Sequence, residues 1–247
     1  MNKDQIRKLD DQAIQQFDTE YVDDFRWKII QGKIDKTFTQ QNFSFLDIGG
    51  GNGRFTDRIL QAYPQSTGTL LDNAESILSL NKIDRRKRLI LGSVEDLTNI
   101  FGSSKFDLIF FNWTIHHFVQ GSYAETRKTQ LEVIINATNL LSSIGYISVF
   151  ENMYDGIFFK SLPSYLIFYL TSSKTLAPLM KKMGANTAGC GVCFLSKKQW
   201  DQTFEKASLI VSEYTDFEKW GGITIMRKLF LHLGPIRHGH FWLRQNL

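Results

Sequence analysis

The chain is poor in cysteine, in long apolar runs and in any strong excess of charge. Only Cys190 and Cys193 occur in its 247 residues. Two thiols three positions apart make no disulfide framework, so the fold is expected to hold by packing. The most apolar stretch, residues 165–170, lies between Pro163 and Thr171, far short of the ~20 residues that a membrane-spanning helix needs. Residues 1–24 are polar and charged, without the apolar stretch of a secretory signal. No internal repeat or low-complexity linker is visible. Net charge is only +4, and the densest basic run is Arg85-Arg86-Lys87-Arg88. Four such residues read as a solvated helix end or loop, and nucleic-acid binding does not follow from them. The expectation is a soluble cytoplasmic protein with neither a membrane nor a nucleic-acid partner.

What is present is apolar material: 43% hydrophobic residues against 22% charged, enough for one packed domain over residues 1–247. Residues 1–42 read as a helical cap, because Ile14, Phe17, Tyr21, Phe25, Ile29 and Ile30 recur at helical spacing. Gly32 is the expected interruption in it. Residues 43–151 alternate strands (43–48, 68–71, 89–92, 106–111, 146–150) with helices (54–62, 74–80, 95–101, 126–141). That alternation predicts an α/β fold, a twisted and mostly parallel sheet with helices on both faces. Residues 152–196 read as a helical insertion or lid. Residues 197–247 read as the C-terminal part of the sheet, with a helix at 197–207 and strands at 210–217 and 241–244.

The chemistry lies in Phe45-Leu46-Asp47-Ile48-Gly49-Gly50-Gly51-Asn52-Gly53. An apolar strand, an acid and alternating glycines open a helix. Glycine permits both the sharp strand-to-helix turn and close approach of a ligand to backbone. The helix start then offers free N–H groups. Asp72 ends the second strand, about twenty residues on, where an acid accepts hydrogen bonds from ribose hydroxyls.

With Leu71-Asp72, Gly92-Ser93-Val94-Glu95-Asp96-Leu97, Phe106-Asp107-Leu108-Ile109-Phe110-Phe111-Asn112 and Leu140-Leu141-x-x-x-Gly145, the set resembles the class I, Rossmann-like S-adenosylmethionine methyltransferases of the small-molecule type. The order and spacing match over residues 43–151. The resemblance implies S-adenosyl-L-methionine as cofactor. Gly49, Gly51 and Gly53 would line its methionine end and Asp47 would help hold its amino group. Asp72 would bind the ribose, Asn73 would flank the adenine, and Ser93 and Val94 would contact the adenine. The family often has Asp at the place of Ser93, so that contact would be weaker or Glu95 would substitute. Asn112 would sit beside the reacting methyl group.

A nicotinamide dehydrogenase fits less well. Its loop spacing is Gly-x-Gly-x-x-Gly, built for a pyrophosphate, and here Arg54 and Phe55 follow Gly53. Asn112-Trp113-Thr114-Ile115 also lacks the Pro-Pro-aromatic sequence of amino-group DNA methyltransferases. Two readings stay open for Ile115-His116-His117-Phe118: His116 or His117 as a general base, or a pair that packs the following helix. Cys190 and Cys193 with His238 and His240 have zinc-ligand chemistry but not a zinc spacing, so ordinary thiols and no metal are expected. Phe158, Phe159, Tyr165 and Tyr169 belong to a dense apolar cluster that reads equally as lid or as core. Glu151 reads as a substrate contact or a helix cap. The expected reaction is methyl transfer to an O, N or C atom of a small, apolar or aromatic acceptor. The alternatives are an RNA or protein methyltransferase and a cofactor-binding regulatory protein without turnover.

Overall fold

A computed structural model of the chain describes residues 5–7, 22–218 and 224–246. Seven strands form one sheet: β1 (Ser44–Ile48), β2 (Thr67–Asp72), β3 (Lys87–Leu91), β4 (Phe106–Asn112), β5 (Leu141–Gly156), β6 (Leu209–Glu218) and β7 (Leu233–Gln245). Their order is β3-β2-β1-β4-β5-β7-β6. β1 to β5 pair in parallel, and β7 lies antiparallel between β5 and β6.

Parallel pairs need crossovers, and helices supply them. α1 (Asp24–Thr37) precedes β1. Then α2 (Arg54–Ala62), α3 (Glu75–Leu78), α4 (Leu97–Phe101) and α5 (Tyr123–Asn139) separate β1 to β5. α6 (Leu162–Ser172) and α7 (Ala177–Lys182) form the expected insertion, followed by α8 (Lys197–Lys206); α9 (Ile225–Phe230) leads into β7. Period-two alternation decides which face each strand residue serves. Phe45, Leu108 and Phe110 pack with Trp27, Ile30 and Ile34 of α1 and with Phe55 and Ile59 of α2. Leu46, Ile48, Ile109 and Phe111 pack on the other face with Val133, Ile134 and Ala137 of α5 and with Trp200 and Phe204 of α8. A one-residue slip would exchange these sets and leave neither core filled.

Several boundaries differ from expectation for identifiable reasons. α5 begins at Tyr123 because Ser122 and Glu125 form a capping box, each side chain accepting the other's backbone N–H. β5 and β7 are longer than expected because they pair with each other from Tyr146–Arg244 to Gly156–Leu233. Gly234, Pro235 and Gly239 make that part of β7 read as a loop, and cross-strand pairing overrides the local preference. The expected helix at 74–80 is the single turn of α3, and the one at 95–101 divides into a 3₁₀ turn (Val94–Asp96) and α4. α1 runs through Gly32 without interruption. Burial of Trp27, Ile30 and Ile34 outweighs the ~1 kcal/mol that a mid-helix glycine costs. Phe25 is exposed, edge-on to Phe217 at 5.2 Å. Ile14, Phe17 and Tyr21 lie outside the described residues.

The basic run at 85–88 is partly consumed by the fold: Arg86 pairs with Asp84 at 2.7 Å and Lys87 with Asp57 at 2.5 Å. No helix among the described residues is long and apolar enough to cross a membrane.

Candidate active site

The strand order reverses between β1 and β4, and a crevice opens beyond their carboxyl ends, as such topology predicts. Gly49, Gly51 and Gly53 turn the chain there with φ of +73°, +54° and +73°. At Gly53 a Cβ would also collide with the Asn81 carboxamide, whose Nδ2 donates to the Gly51 carbonyl at 2.8 Å. Asp72 accepts the Gly51 N–H at 3.0 Å and the Ala74 N–H at 2.9 Å. Burial raises its pKa, and the backbone donors oppose that rise. Asp47 lies beneath the loop and accepts the Thr56 hydroxyl at 2.7 Å. Burial pushes its carboxyl up to about 7 against the pull of that bond.

The crevice widens into a cavity of about 1360 Å³, larger than the ~300–1,000 Å³ of one small-ligand pocket. It has room for two ligands. Gly49, Gly51, Asp72, Asn73, Val94, Asn112, His116 and His117 line it, and Asp47, Gly53 and Ser93 do not. Ser93 instead caps the 3₁₀ turn, accepting the Glu95 N–H at 3.3 Å. Glu95 does not stand in for the expected acid. It accepts the Ile6 N–H at 3.1 Å and Gln120 Nε2 at 3.1 Å, tying down residues 5–7. Ile6 and Arg7 thereby reach the cavity wall. They sit in no motif, so nothing in the sequence marks them.

Asn112 ends β4 with both amide atoms buried and without a hydrogen-bond partner among the described residues. Leaving a buried donor and acceptor unmet is costly, and a ligand with complementary groups would meet them. The next residue, Trp113, has φ +52°, rare and strained for a bulky side chain. Its ring stacks on Phe150 at 4.6 Å, its Nε1 donates to Asn152 at 3.1 Å, and the Arg26 guanidinium lies 4.9 Å over it. Arg26, Trp113 and Asn152 all face the cavity; their approach is tertiary and left no trace in local pattern.

The histidines divide. Fully buried Glu151, inside β5, accepts the Ile115 and His116 N–H groups at 2.8 and 3.3 Å through one oxygen. Its other oxygen lies 2.8 Å from His116 Nδ1. A carboxylate only accepts, so Nδ1 carries the hydrogen, and in the neutral ring the lone pair sits on Nε2. Glu151 thus caps the turn before it, not a following helix. Phe194 stacks on the His116 ring at 4.5 Å. His117 is pushed well below its ordinary pKa, first by burial and then by His116, and is neutral.

The insertion covers the cavity with a different face from the one expected. Phe158 and Phe159 are 81% and 70% exposed. Neither they nor Tyr165 and Tyr169 line the cavity; Ile167, Leu170 and Thr171 on the inner side of α6 do. Tyr165 and Tyr169, four residues apart, pair on the outer side at 4.4 Å. Cys190 and Cys193 form no disulfide among the described residues. Burial raises the Cys193 thiol to about 11, which suppresses thiolate chemistry. Among the described residues no three His, Cys, Asp or Glu side chains group as metal ligands.

Residues 39–208 match the methyltransferase domain family. No curated protein matches the sequence. Solved structures match in fold. A putative methyltransferase from Bacillus halodurans aligns with TM-score 0.58 at 13% identity, over 87% of this chain and 97% of that one. The plantazolicin methyltransferase BpumL, in complex with a triazolic desmethylPZN analog and SAH, aligns with TM-score 0.58 at 14% identity, over 96% and 89%. CalO1, a methyltransferase in calicheamicin biosynthesis in its SAH-bound form, aligns with TM-score 0.50 at 12% identity over 89% of this chain, which spans 55% of CalO1. The glycine turn without phosphate-loop spacing, Asp72 at its strand end and the unmet amide of Asn112 fit S-adenosylmethionine. The chain belongs to the methyltransferase domain family.

Proposed function

We propose that the chain methylates an O, N or C atom of a small, apolar or aromatic molecule, in the cytoplasm, with His116 as the base when the acceptor carries a proton. The observation that carries this reading is the composition of this cavity. Its strand-end wall holds Gly49, Gly51, Asp72, Asn73, Val94 and Asn112. Its other wall holds Trp113, Tyr154, Leu170, Phe194 and Leu233. The volume holds a second ligand beside the first, against aromatic and apolar surface interrupted by Arg26, Asn152, Arg227 and His238, the mix of apolar lining and placed polar groups that is usual for a small-molecule site.

S-adenosylmethionine supplies an electrophilic methyl group when bound. The chain's part is to hold and orient. Gly49 and Gly51 let the backbone come close, with Gly53 keeping the turn; Asp72 offers its remaining lone pairs to ribose hydroxyls. Asn73 and Val94 bracket the adenine, with Ser93 shaping that wall from behind. Asp47 supports the amino-group end through the loop, and Asn112 meets polar atoms beside the methyl. Holding the acceptor in line is the main source of acceleration. His116, fixed by Glu151, takes a proton at Nε2, a contribution of ~10²–10⁴-fold where the acceptor needs it. His117, neutral and packed on His116, shapes the pocket. α6 and the segment to Phe194 act as the lid that excludes water.

Methyl-labelled S-adenosylmethionine offered with a panel of phenols, amines and hydroxylated aromatics tests the proposal. Label in organic-extractable product supports it. Label appearing only in added RNA or protein, or nowhere despite tight cofactor binding, would overturn it.

A further inference from the structure

The surface around the cavity mouth is unlike the rest of the molecule. α9 buries none of its residues, yet Ile225, Met226, Leu229 and Phe230 are large, apolar and 63–74% exposed. At positions i, i+1, i+4 and i+5 they share one helix face. His232 joins this face to the loop after β5. Its Nε2 accepts the Phe158 and Phe159 N–H groups at 2.9 and 3.1 Å, and both rings lie within 5.9 Å of its own. Two separate segments therefore present one exposed apolar patch. Single exposed apolar residues need no explanation, but a contiguous patch marks an interaction surface.

The chain segments that form the patch carry charge of one sign. Residues 156–200 contain no Asp or Glu, and neither do residues 219–247; the chain's 25 acids are all elsewhere. Lys160 adjoins Phe159, Arg227 and Lys228 sit on α9, Lys174 precedes α7, and Lys181 and Lys182 end it. Arg227, Phe230 and Leu231 also line the cavity, so the patch borders its mouth.

We propose that this face docks onto an anionic lipid bilayer. Phe158, Phe159 and the apolar face of α9 enter the boundary between headgroups and acyl chains, and the surrounding lysines meet lipid phosphates. Exposed aromatic and aliphatic side chains ringed by Lys and Arg are the chemistry of a surface-bound, non-spanning protein. No helix among the described residues is long and apolar enough to cross a membrane, and lying on one needs no such helix. A second copy fits worse, because a two-fold contact would oppose the same basic residues. A nucleic acid fits the lysines but leaves the rings in water. Docking would place the cavity mouth against lipid, where a lipophilic acceptor enters without crossing water. That last step rests on the methyl-transfer reading; the docking does not.

The test sediments the full chain with vesicles of equal parts phosphatidylglycerol and phosphatidylcholine, and with phosphatidylcholine alone. Retention by the anionic vesicles that falls with added salt is expected. Phe158→Ser with Met226→Ser, and separately Lys160→Glu with Lys228→Glu, should each lower it about tenfold or more. Both variants should keep the wild-type melting temperature and affinity for S-adenosylhomocysteine. The docking is overturned by no retention on anionic vesicles, by retention indifferent to both variants, or by a solution dimer that the Phe158 and Met226 changes dissociate. Preference for RNA over vesicles overturns it too. Absent cofactor affinity in the wild type would count against the methyl-transfer reading alone.

Discussion

Glu151 holds His116 from two sides, taking its backbone N–H at 3.3 Å and its ring Nδ1 at 2.8 Å. The same carboxylate takes the Ile115 N–H, so one fully buried group on β5 fixes both the turn after β4 and the imidazole on it. The ring cannot rotate without breaking a charge-assisted bond.

The first prediction follows from that arrangement. His116→Asn should lower kcat by ~10²–10⁴-fold for an acceptor that loses a proton, with unchanged affinity for S-adenosylhomocysteine. Glu151→Gln presents either an acceptor or a donor to Nδ1 and loosens the tautomer. It should lower kcat less than His116→Asn and shift the alkaline-rising limb of the pH–rate profile. A profile that stays in place while only the melting temperature drops would assign Glu151 a purely structural role.

Asp72 has two duties in this structure, and its substitution should show both. Asp72→Ala removes the acceptor for the Gly51 N–H as well as the ribose contact. Calorimetry should find a loss of ~1.5–3 kcal/mol in cofactor affinity, the range for hydrogen bonds to a charged group. Asp72→Asn keeps one acceptor oxygen for Gly51 and should lose less. Equal affinities for both variants and the wild type would take Asp72 out of the site.

Asn112 sets binding against stability. Its buried amide has no partner among the described residues, so replacing it with an apolar residue of similar size removes an unmet polar group. Asn112→Leu should raise the melting temperature of the ligand-free protein, or leave it unchanged, while weakening S-adenosylhomocysteine binding at least about tenfold. A destabilised variant that binds normally would show that Asn112 serves the fold instead.

Much of this site is legible in the sequence because its parts are local. Gly49, Gly51, Gly53 and Asp72 follow from strand ends and backbone freedom, which neighbouring residues encode. Asn112 follows from its place at the end of β4. The rest is tertiary. Ile6 and Arg7 reach the cavity only because Glu95 binds the Ile6 N–H. Trp113 and Arg26 meet across the gap between β4 and α1. Glu151 reads as a cap or a contact from its position, and only the register of β5 against β4 brings it to His116. For α6, the number of aromatic residues was a poor guide. Helical geometry turns Tyr165 and Tyr169 outward and Ile167, Leu170 and Thr171 toward the cavity. A lid needs its inner face apolar, and the most aromatic face is here the outer one.

The last prediction concerns pH and stability, where two buried groups act in opposite directions. Burial pushes Asp47 up to about 7 from its ordinary 3.8. Between those values the folded protein keeps a proton that the unfolded chain releases, so this group's contribution to stability falls as pH rises. His240, hydrogen-bonded to Ser148 at 2.8 Å, is pushed down to about 3 from 6.5, chiefly by burial. Between those values the unfolded chain takes up a proton that the folded protein refuses, so stability rises with pH. His117 acts in the same sense as His240. The effects overlap between roughly pH 4 and 6.5, where they partly cancel in the wild type. Asp47→Asn keeps an acceptor for the Thr56 hydroxyl but removes the titration. Its melting temperature should climb more steeply over that range than the wild type's. His240→Gln should climb less steeply. Melting curves from pH 4 to 8 decide the matter: an Asp47→Asn profile parallel to the wild type would mean that Asp47 is ionised throughout, and its proposed support of the cofactor's amino-group end through the loop would then come from a carboxylate and not from a neutral acid.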